Sequence, residues 1–146
     1  NELLRYGSTR RSRRYDFTLV DCEAGVEQIN RRVLDTISRR FMGTDTTAKG
    51  MRTAAGIRGI ADEHGIRSDY PRGVILNRIR GGEKEEMVSK ALGMGIDILG
   101  FMPEDARISE FDLQDRPLTD IPEDDPCLNA VRDILDRQGF FEGKHS

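Results

Sequence analysis

Four short apolar runs, each closing on a polar residue, a glycine or a proline, alternate along this chain with longer stretches whose apolar residues recur at helical spacing. The first run, Tyr15, Phe17, Leu19 and Val20, ends on Asp21 and turns at Gly25. A second, Thr36 to Met42, is weaker, because Arg39 and Arg40 stand where a central strand would be apolar. Val74-Ile75-Leu76 runs unbroken into Asn77, as a strand covered on both faces does. Ile96, Ile98, Leu99 and Phe101 form the last run, which Pro103 stops. Strands that alternate with helices build a parallel sheet, and crossovers of this length are right-handed. The fold class expected is therefore α/β, an open doubly wound parallel sheet with helices on both faces.

The helices between the runs carry their own signals. Val26, Ile29 and Val33 give a short amphipathic helix. The segment Thr44-Asp45-Thr46-Thr47 offers N-cap chemistry for a stripe of Ala48, Met51, Ala54, Ala55, Ile57, Ile60 and Ala61, ending near His64-Gly65. Gly81-Gly82 opens a helix whose apolar face is Met87, Val88, Ala91 and Leu92. Asp125 caps a last helix with Pro126 at its first position and Leu128, Val131, Ile134 and Leu135 on its buried stripe. The segment between Pro103 and Asp125, rich in acid and proline, reads as a loop. The expected division is 1–14 as a basic helix end or linker, 15–138 as the α/β domain and 139–146 as a disordered tail.

A chain of 146 residues is the size of one domain and can bury roughly 68% of its unfolded surface without a disulfide or metal staple. No apolar stretch reaches the roughly 18 to 20 residues that cross a bilayer, so no membrane partner is expected. Cys22 and Cys127 stand far apart with no ligand spacing around them, which fits thiols in a reducing, cytoplasmic setting. The arginines from Arg5 to Arg14 can meet phosphates, yet the chain carries a net charge of -3 and few aromatics interleave with them. A solvated linker is the reading, and nucleic acid is not an expected partner.

Ligands of open α/β sheets sit beyond the carboxyl ends of the strands, and three such ends here are polar. Asp21 can hold a hydrated magnesium ion and Gly25 can let a backbone N–H approach a phosphate, although a lone strand-end Asp is equally a turn carboxylate. Asn77 carries the donor and acceptor needed to read an adenine edge, and Arg78 can lie flat against a base; each also serves as an ordinary loop residue. Pro103-Glu104-Asp105 can present groups to a base or simply end its strand. No glycine-rich loop ends in Gly-Lys-Ser or Gly-Lys-Thr, no serine sits in a nucleophile elbow, and His64 and His145 have no ligand partners at metal spacing.

Taken in order, Tyr15-Asp16-Phe17-Thr18-Leu19-Val20-Asp21-Cys22-Glu23-Ala24-Gly25-Val26-Glu27, Ile75-Leu76-Asn77-Arg78 and Leu99-Gly100-Phe101-Met102-Pro103-Glu104-Asp105 resemble one family. They look like the carboxyl-terminal half of the deviant Walker A ATPases related to the Min and Par proteins and nitrogenase iron protein. The Asp-x-Glu-Ala-Gly form, with Phe111-Asp112-Leu113 and Arg116-Pro117-Leu118, is most similar to the accessory ATPases that mature carbon monoxide dehydrogenase by nickel insertion.

The resemblance implies an ATP and magnesium site in which Asp21 is the Walker B type carboxylate near magnesium and Gly25 belongs to the switch that senses the terminal phosphate. It implies that Asn77 recognises adenine with Arg78 beside it, and that Pro103, Glu104 and Asp105 form a loop closing over the base. It implies a homodimer and a metalloenzyme client such as carbon monoxide dehydrogenase. Gln28 departs from the histidine frequent in that branch. The phosphate loop and its lysines would lie upstream of Asn1, so the expectation is a partial P-loop NTPase fold, weak or no nucleotide binding and no hydrolysis by this chain alone. The rival expectation is a non-enzymatic α/β interaction or dimerisation module.

Overall fold

The computed structural model describes residues 41–63 and 73–141, together with Leu19 and Asp21. Among these residues three parallel strands form one sheet in the order β1-β2-β3, with β1 at Met42–Thr44, β2 at Val74–Ile79 and β3 at Ile98–Pro103. Four helices accompany them: α1 Ala48–Glu63, α2 Lys84–Gly93, α3 Ala106–Leu113 and α4 Pro126–Arg137, with a 3-10 turn at Leu118–Asp120. No helix of the described residues is long and apolar enough to cross a membrane.

The central strand anchors both faces. Val74 and Leu76 are fully buried and meet Met51 and Ala54 of α1, Met87 and Ala91 of α2, and Ile96. Burial of one such Val or Leu side chain favours the fold by about 1.5–3 kcal/mol. On the other face Gly100, paired in the ladder with Ile75, lies so close beneath Ile134 of α4 that a methyl group there would overlap Ile134 Cγ1 and Cδ1. Helices therefore cover both sides of the sheet, as the alternation of runs predicted.

The ladder is irregular in two places. β3 holds an extra residue between Ile98 and Gly100, and β2 holds one between Leu76 and Ile79, since Leu76 pairs Phe101 while Ile79 pairs Pro103. Asn77 and Arg78 thus lie inside β2, not after it as the sequence suggested. Both are exposed, while Ile79 returns to the core at 5% exposure.

Other expectations are corrected. The described strand β1 reaches Thr44, beyond the predicted end at Met42, because residues 42–44 continue the ladder with Val74, Ile75 and Leu76. The cap of α1 does fall in the expected capping segment: it is Thr47, whose hydroxyl accepts from the Gly50 N–H at 3.0 Å. Helix α3 occupies the segment read as a loop, with Asp105 as its cap and Phe111 as its buried anchor. Eight residues with one buried apolar side chain leave too faint a stripe to see in sequence. On α2, Leu92 is 70% exposed and Val88 is also exposed, so its buried face is narrower than predicted. Val131 of α4 is likewise exposed.

At the end of α4 the Gly139 N–H donates to the Asp136 carbonyl and the Phe140 N–H to the Leu135 carbonyl. Gly139 takes φ 63°, the left-handed geometry suited to a helix stop. Apart from Leu19, which is exposed, the strand at Tyr15 to Val20 lies outside the described residues, as do the helix at Val26 to Val33, the basic segment 1–14, Gly25 and residues 142–146.

Gly100→Ala is expected to lower stability by about 1–3 kcal/mol through overpacking against Ile134. Thermal unfolding of this variant alone and with Ile134→Ala should show the two changes to be non-additive, since the smaller partner relieves the overlap.

Candidate functional site at the strand ends

The carboxyl ends of the three strands bring polar residues to one edge of the sheet. Asp45 follows β1, Asn77 and Arg78 end the regular part of β2, and Pro103, Glu104 and Asp105 close β3. The ends of β2 and β3 are tied by the Glu104 N–H, which donates to the Ile79 carbonyl at 3.0 Å. Five of the seven residues singled out in sequence therefore meet at this edge. Asp21 is described as exposed with no described contact to the others, and Gly25 is outside the described residues.

Arg78 adopts φ 58°, the left-handed region that a non-glycine residue rarely visits. Asn77 supports this conformation, its Oδ1 accepting from the Arg78 N–H at 2.9 Å. Among the described residues the Asn77 amide NH2 and the Arg78 guanidinium have no hydrogen-bond partner, and both residues are exposed. A side chain with two unused donors beside an unpaired planar cation suits a flat heteroaromatic or anionic ligand.

The acids around them are engaged elsewhere. Asp45 Oδ1 accepts from the Thr47 hydroxyl at 2.6 Å and from the Thr47 N–H at 3.1 Å. The Thr47 side-chain hydrogen bond, then its backbone bond, hold the Asp45 carboxyl below its ordinary value; burial opposes them, and the Arg78 charge adds a lesser lowering. Glu104 takes both prongs of the Arg80 guanidinium, Nε to Oε2 at 2.6 Å and Nη2 to Oε1 at 3.0 Å. That pair depresses the Glu104 carboxyl and raises Arg80. Arg80 was not singled out in sequence, where it reads as one arginine among several before a glycine turn.

Asp105 does not point its carboxylate toward the Asn77 edge through any described contact; it caps α3, accepting from the Arg107 N–H at 2.7 Å. Beneath it lies a buried tie. Asp125, fully buried, caps α4 by accepting from the Cys127 N–H at 2.9 Å and the Leu128 N–H at 3.4 Å, and meets Arg107 Nη1 at 3.5 Å. The Cys127 thiol donates to the Pro103 carbonyl at 3.4 Å. One ligand-type atom from each of Asp105, Asp125 and Cys127 falls within 4.8 Å of the others. Burial, then the charges of Asp105 and Asp125, pushes the Cys127 thiol up, which keeps it a protonated donor. With the carboxylates capping helices and the thiol holding Pro103, this group fastens the β3 loop to α4.

A separate open groove of about 620 Å³ runs beside β3 between α2 and α4, lined by Phe101, Pro103, Ile134, Lys84 and Asn129 among others. Neither Asn77 nor Arg78 lines it. The unpartnered polar groups, not the larger hollow, mark the more chemical edge.

No protein-family model matches the chain. It is 28% identical over 123 residues to the uncharacterized ATP-binding protein MJ0685 of Methanocaldococcus jannaschii, covering 84% of this chain and 48% of that protein. A second uncharacterized ATP-binding protein of the same organism, MJ0823, is 28% identical over 109 residues, covering 73% and 40%. The chain thus spans about half the length of the curated relatives it matches. Among solved structures, the MinD cell division protein of Aquifex aeolicus superposes with a TM-score of 0.67 at 22% identity, over 97% of this chain and 59% of that one. The cell division ATPase MinD of Pyrococcus furiosus gives 0.69 at 19% identity, over 95% and 58%. The chain has the MinD-type α/β fold, over part of the length of a MinD chain.

Two outcomes test this geometry. Asp125→Ala is expected to lower stability by about 1–2 kcal/mol, the loss of a helix cap, in denaturant unfolding. Because the folded Asp45 carboxyl lies below its ordinary value of 3.8, its contribution is present above that value and lost as pH falls through the depressed one. Unfolding curves of wild type and Asp45→Asn should therefore differ near neutrality and converge on acidification.

Proposed function

We propose that this chain forms the base-binding side of an adenine nucleotide site in a MinD-type ATP-binding protein. The observation that carries the reading is the exposed Asn77–Arg78 pair at the carboxyl edge of a parallel sheet, with its amide NH2 and guanidinium unpaired among the described residues. The names of the two relatives, both ATP-binding proteins, support it. In this reading Asn77 pairs with the adenine edge, Arg78 lies against the base or a phosphate, and the backbone of Pro103, Glu104 and Asp105 borders the ring. Asp21 would hold a water on magnesium, and Gly25 would belong to the segment that senses the terminal phosphate. Bound nucleotide with magnesium supplies the phosphoryl group to be transferred to water.

The finer assignment, a homodimeric cytoplasmic ATPase that matures a metalloenzyme such as carbon monoxide dehydrogenase by nickel insertion, rests on the sequence pattern from Asp21 to Gly25 and from Ile108 to Pro126. A second reading, an interaction or dimerisation module without catalysis, is favoured by one observation: Leu92 and Leu113 are 70% and 87% exposed. Such a module would form a dimer indifferent to nucleotide.

Titration of the chain with a fluorescent ATP analogue and magnesium separates the two readings. Saturable binding that weakens about tenfold or more in Asn77→Ala, equivalent to roughly 1.4 kcal/mol, is the expected result. Binding that is unchanged in the variant, or that stays absent when a segment bearing a Gly-Lys-Ser or Gly-Lys-Thr phosphate loop is supplied in trans, refutes the base pocket.

A further inference from the structure

We infer that Arg80 is a positioning residue whose task is to keep Arg78 available, by occupying the Glu104 carboxylate that could otherwise capture it. The inference rests on the nucleotide reading of Asn77 and Arg78. Arg78 stands on the central strand, between the end of β1 with Asp45 and the end of β3 with Glu104. Its charge is felt by both carboxyls. An arginine flanked by two acids would ordinarily pair with one of them, yet neither forms an ion pair with Arg78.

Each acid is held by something else. Asp45 is folded onto Thr47 at the start of α1 by two hydrogen bonds. Glu104 is held by the fork of Arg80, whose two N–H groups meet its two oxygens side by side. A planar fork matches a carboxylate in orientation as well as distance, so Arg80 leaves no oxygen of Glu104 pointing freely at a second cation.

Arg80 is itself fixed at its base. Its backbone N–H donates to Glu83 Oε2 at 3.0 Å, and the Glu83 N–H returns a bond to the Arg80 carbonyl at 3.2 Å. Gly82 at φ 85° closes this turn ahead of α2. The guanidinium is thus launched from a short, braced turn on one side of Ile79 toward the residue that follows Pro103. Because the side chains of Arg80 and Glu104 are 68% and 44% exposed, the pair adds little to global stability. Its effect is local, on which cation Glu104 holds.

Removal of Arg80 therefore frees Glu104 to pair with Arg78 and withdraw that guanidinium from a ligand. Removal of both Arg80 and Glu104 charges takes that captor away and, with Asp45 still folded onto Thr47, returns Arg78 to use. A tether that merely held β3 against β2 makes the opposite forecast, since loss of both partners would then be no better than loss of one.

The test is a titration of the full chain with the fluorescent ATP analogue and magnesium, in wild type, Arg80→Gln, Arg80→Gln with Glu104→Gln, and Asn77→Ala. Arg80→Gln should bind about five- to tenfold more weakly while its melting temperature stays close to wild type, and the double variant should recover at least half of that loss on a logarithmic scale. Without nucleotide, the arginine Nε–H spectrum of 15N-labelled protein should show the Arg78 signal slowed in solvent exchange in Arg80→Gln and restored in the double variant. Unaltered binding in Arg80→Gln, a double variant as weak as the single, or an unmoved Arg78 signal would each overturn the inference while leaving the base pocket intact if Asn77→Ala still loses affinity. Indifference of binding to Asn77→Ala, or absence of nucleotide binding by wild type even with a phosphate-loop segment supplied in trans, would instead bring down the base pocket and this role with it.

Discussion

The pairing of β2 on both sides is the constraint from which the rest of the structure follows. A strand flanked by two parallel neighbours has its backbone groups satisfied in the ladder, so its side chains can be buried above and below without orphaned donors. Val74 and Leu76 accordingly have no solvent exposure, and α1 and α2 are drawn over them. Parallel pairing also requires each strand to be reached by a crossover, and this places all three carboxyl ends at one edge. Thr44, Ile79 and Pro103 end their strands within the same ladder, and the polar residues beside them become neighbours without any sequence proximity.

That edge holds together through a division of labour among acids. Asp105 and Asp125 cap helices, Asp45 folds onto Thr47, and Glu104 is taken by Arg80. Negative charge at this edge is thereby drawn toward local donors, while Asn77 and Arg78 keep theirs. The Cys127 thiol and the buried Asp125 carboxylate fix the far side of the same loop to α4, so the border of the site is attached to the helix that covers one face of the sheet. The likeness to MinD-type structures accounts for the frame, and the local pairs account for its chemistry.

Much of this frame was legible in the sequence because it depends on period. The unbroken Val74-Ile75-Leu76 run, the run from Ile98 to Phe101, and the Asp125-Pro126 start of α4 each announce an element through a local signal, and each is present. Helix α3 was not legible, since Phe111 is its one buried apolar residue and Asp105 resembled the end of a strand more than the start of a helix. For the site, Asn77 and Arg78 were visible as polar residues at the close of an apolar run. The pairing of Arg80 was not, because partners 24 residues apart, as Arg80 and Glu104 are, become a pair only after the two strands align. Exposure of Leu92 and Val88 was equally hidden, as spacing tells which residues share a helix face but not how far the neighbouring layer extends over it.

The extra residue in β2 between Leu76 and Ile79 has a further meaning. A regular strand alternates its faces, so of two adjacent residues one must turn inward. Here the spacing from one core residue to the next is three, and the alternation is suspended for one step. Asn77 and Arg78 can both look outward only because of that odd interval. The exposed doublet is therefore a matter of counting as much as of chemistry. Deletion of either residue would restore ordinary parity, leave Ile79 in the core and halve the doublet, whereas exchange of one side chain leaves the interval intact. The length of this segment is as much a determinant of the site as the identity of its residues.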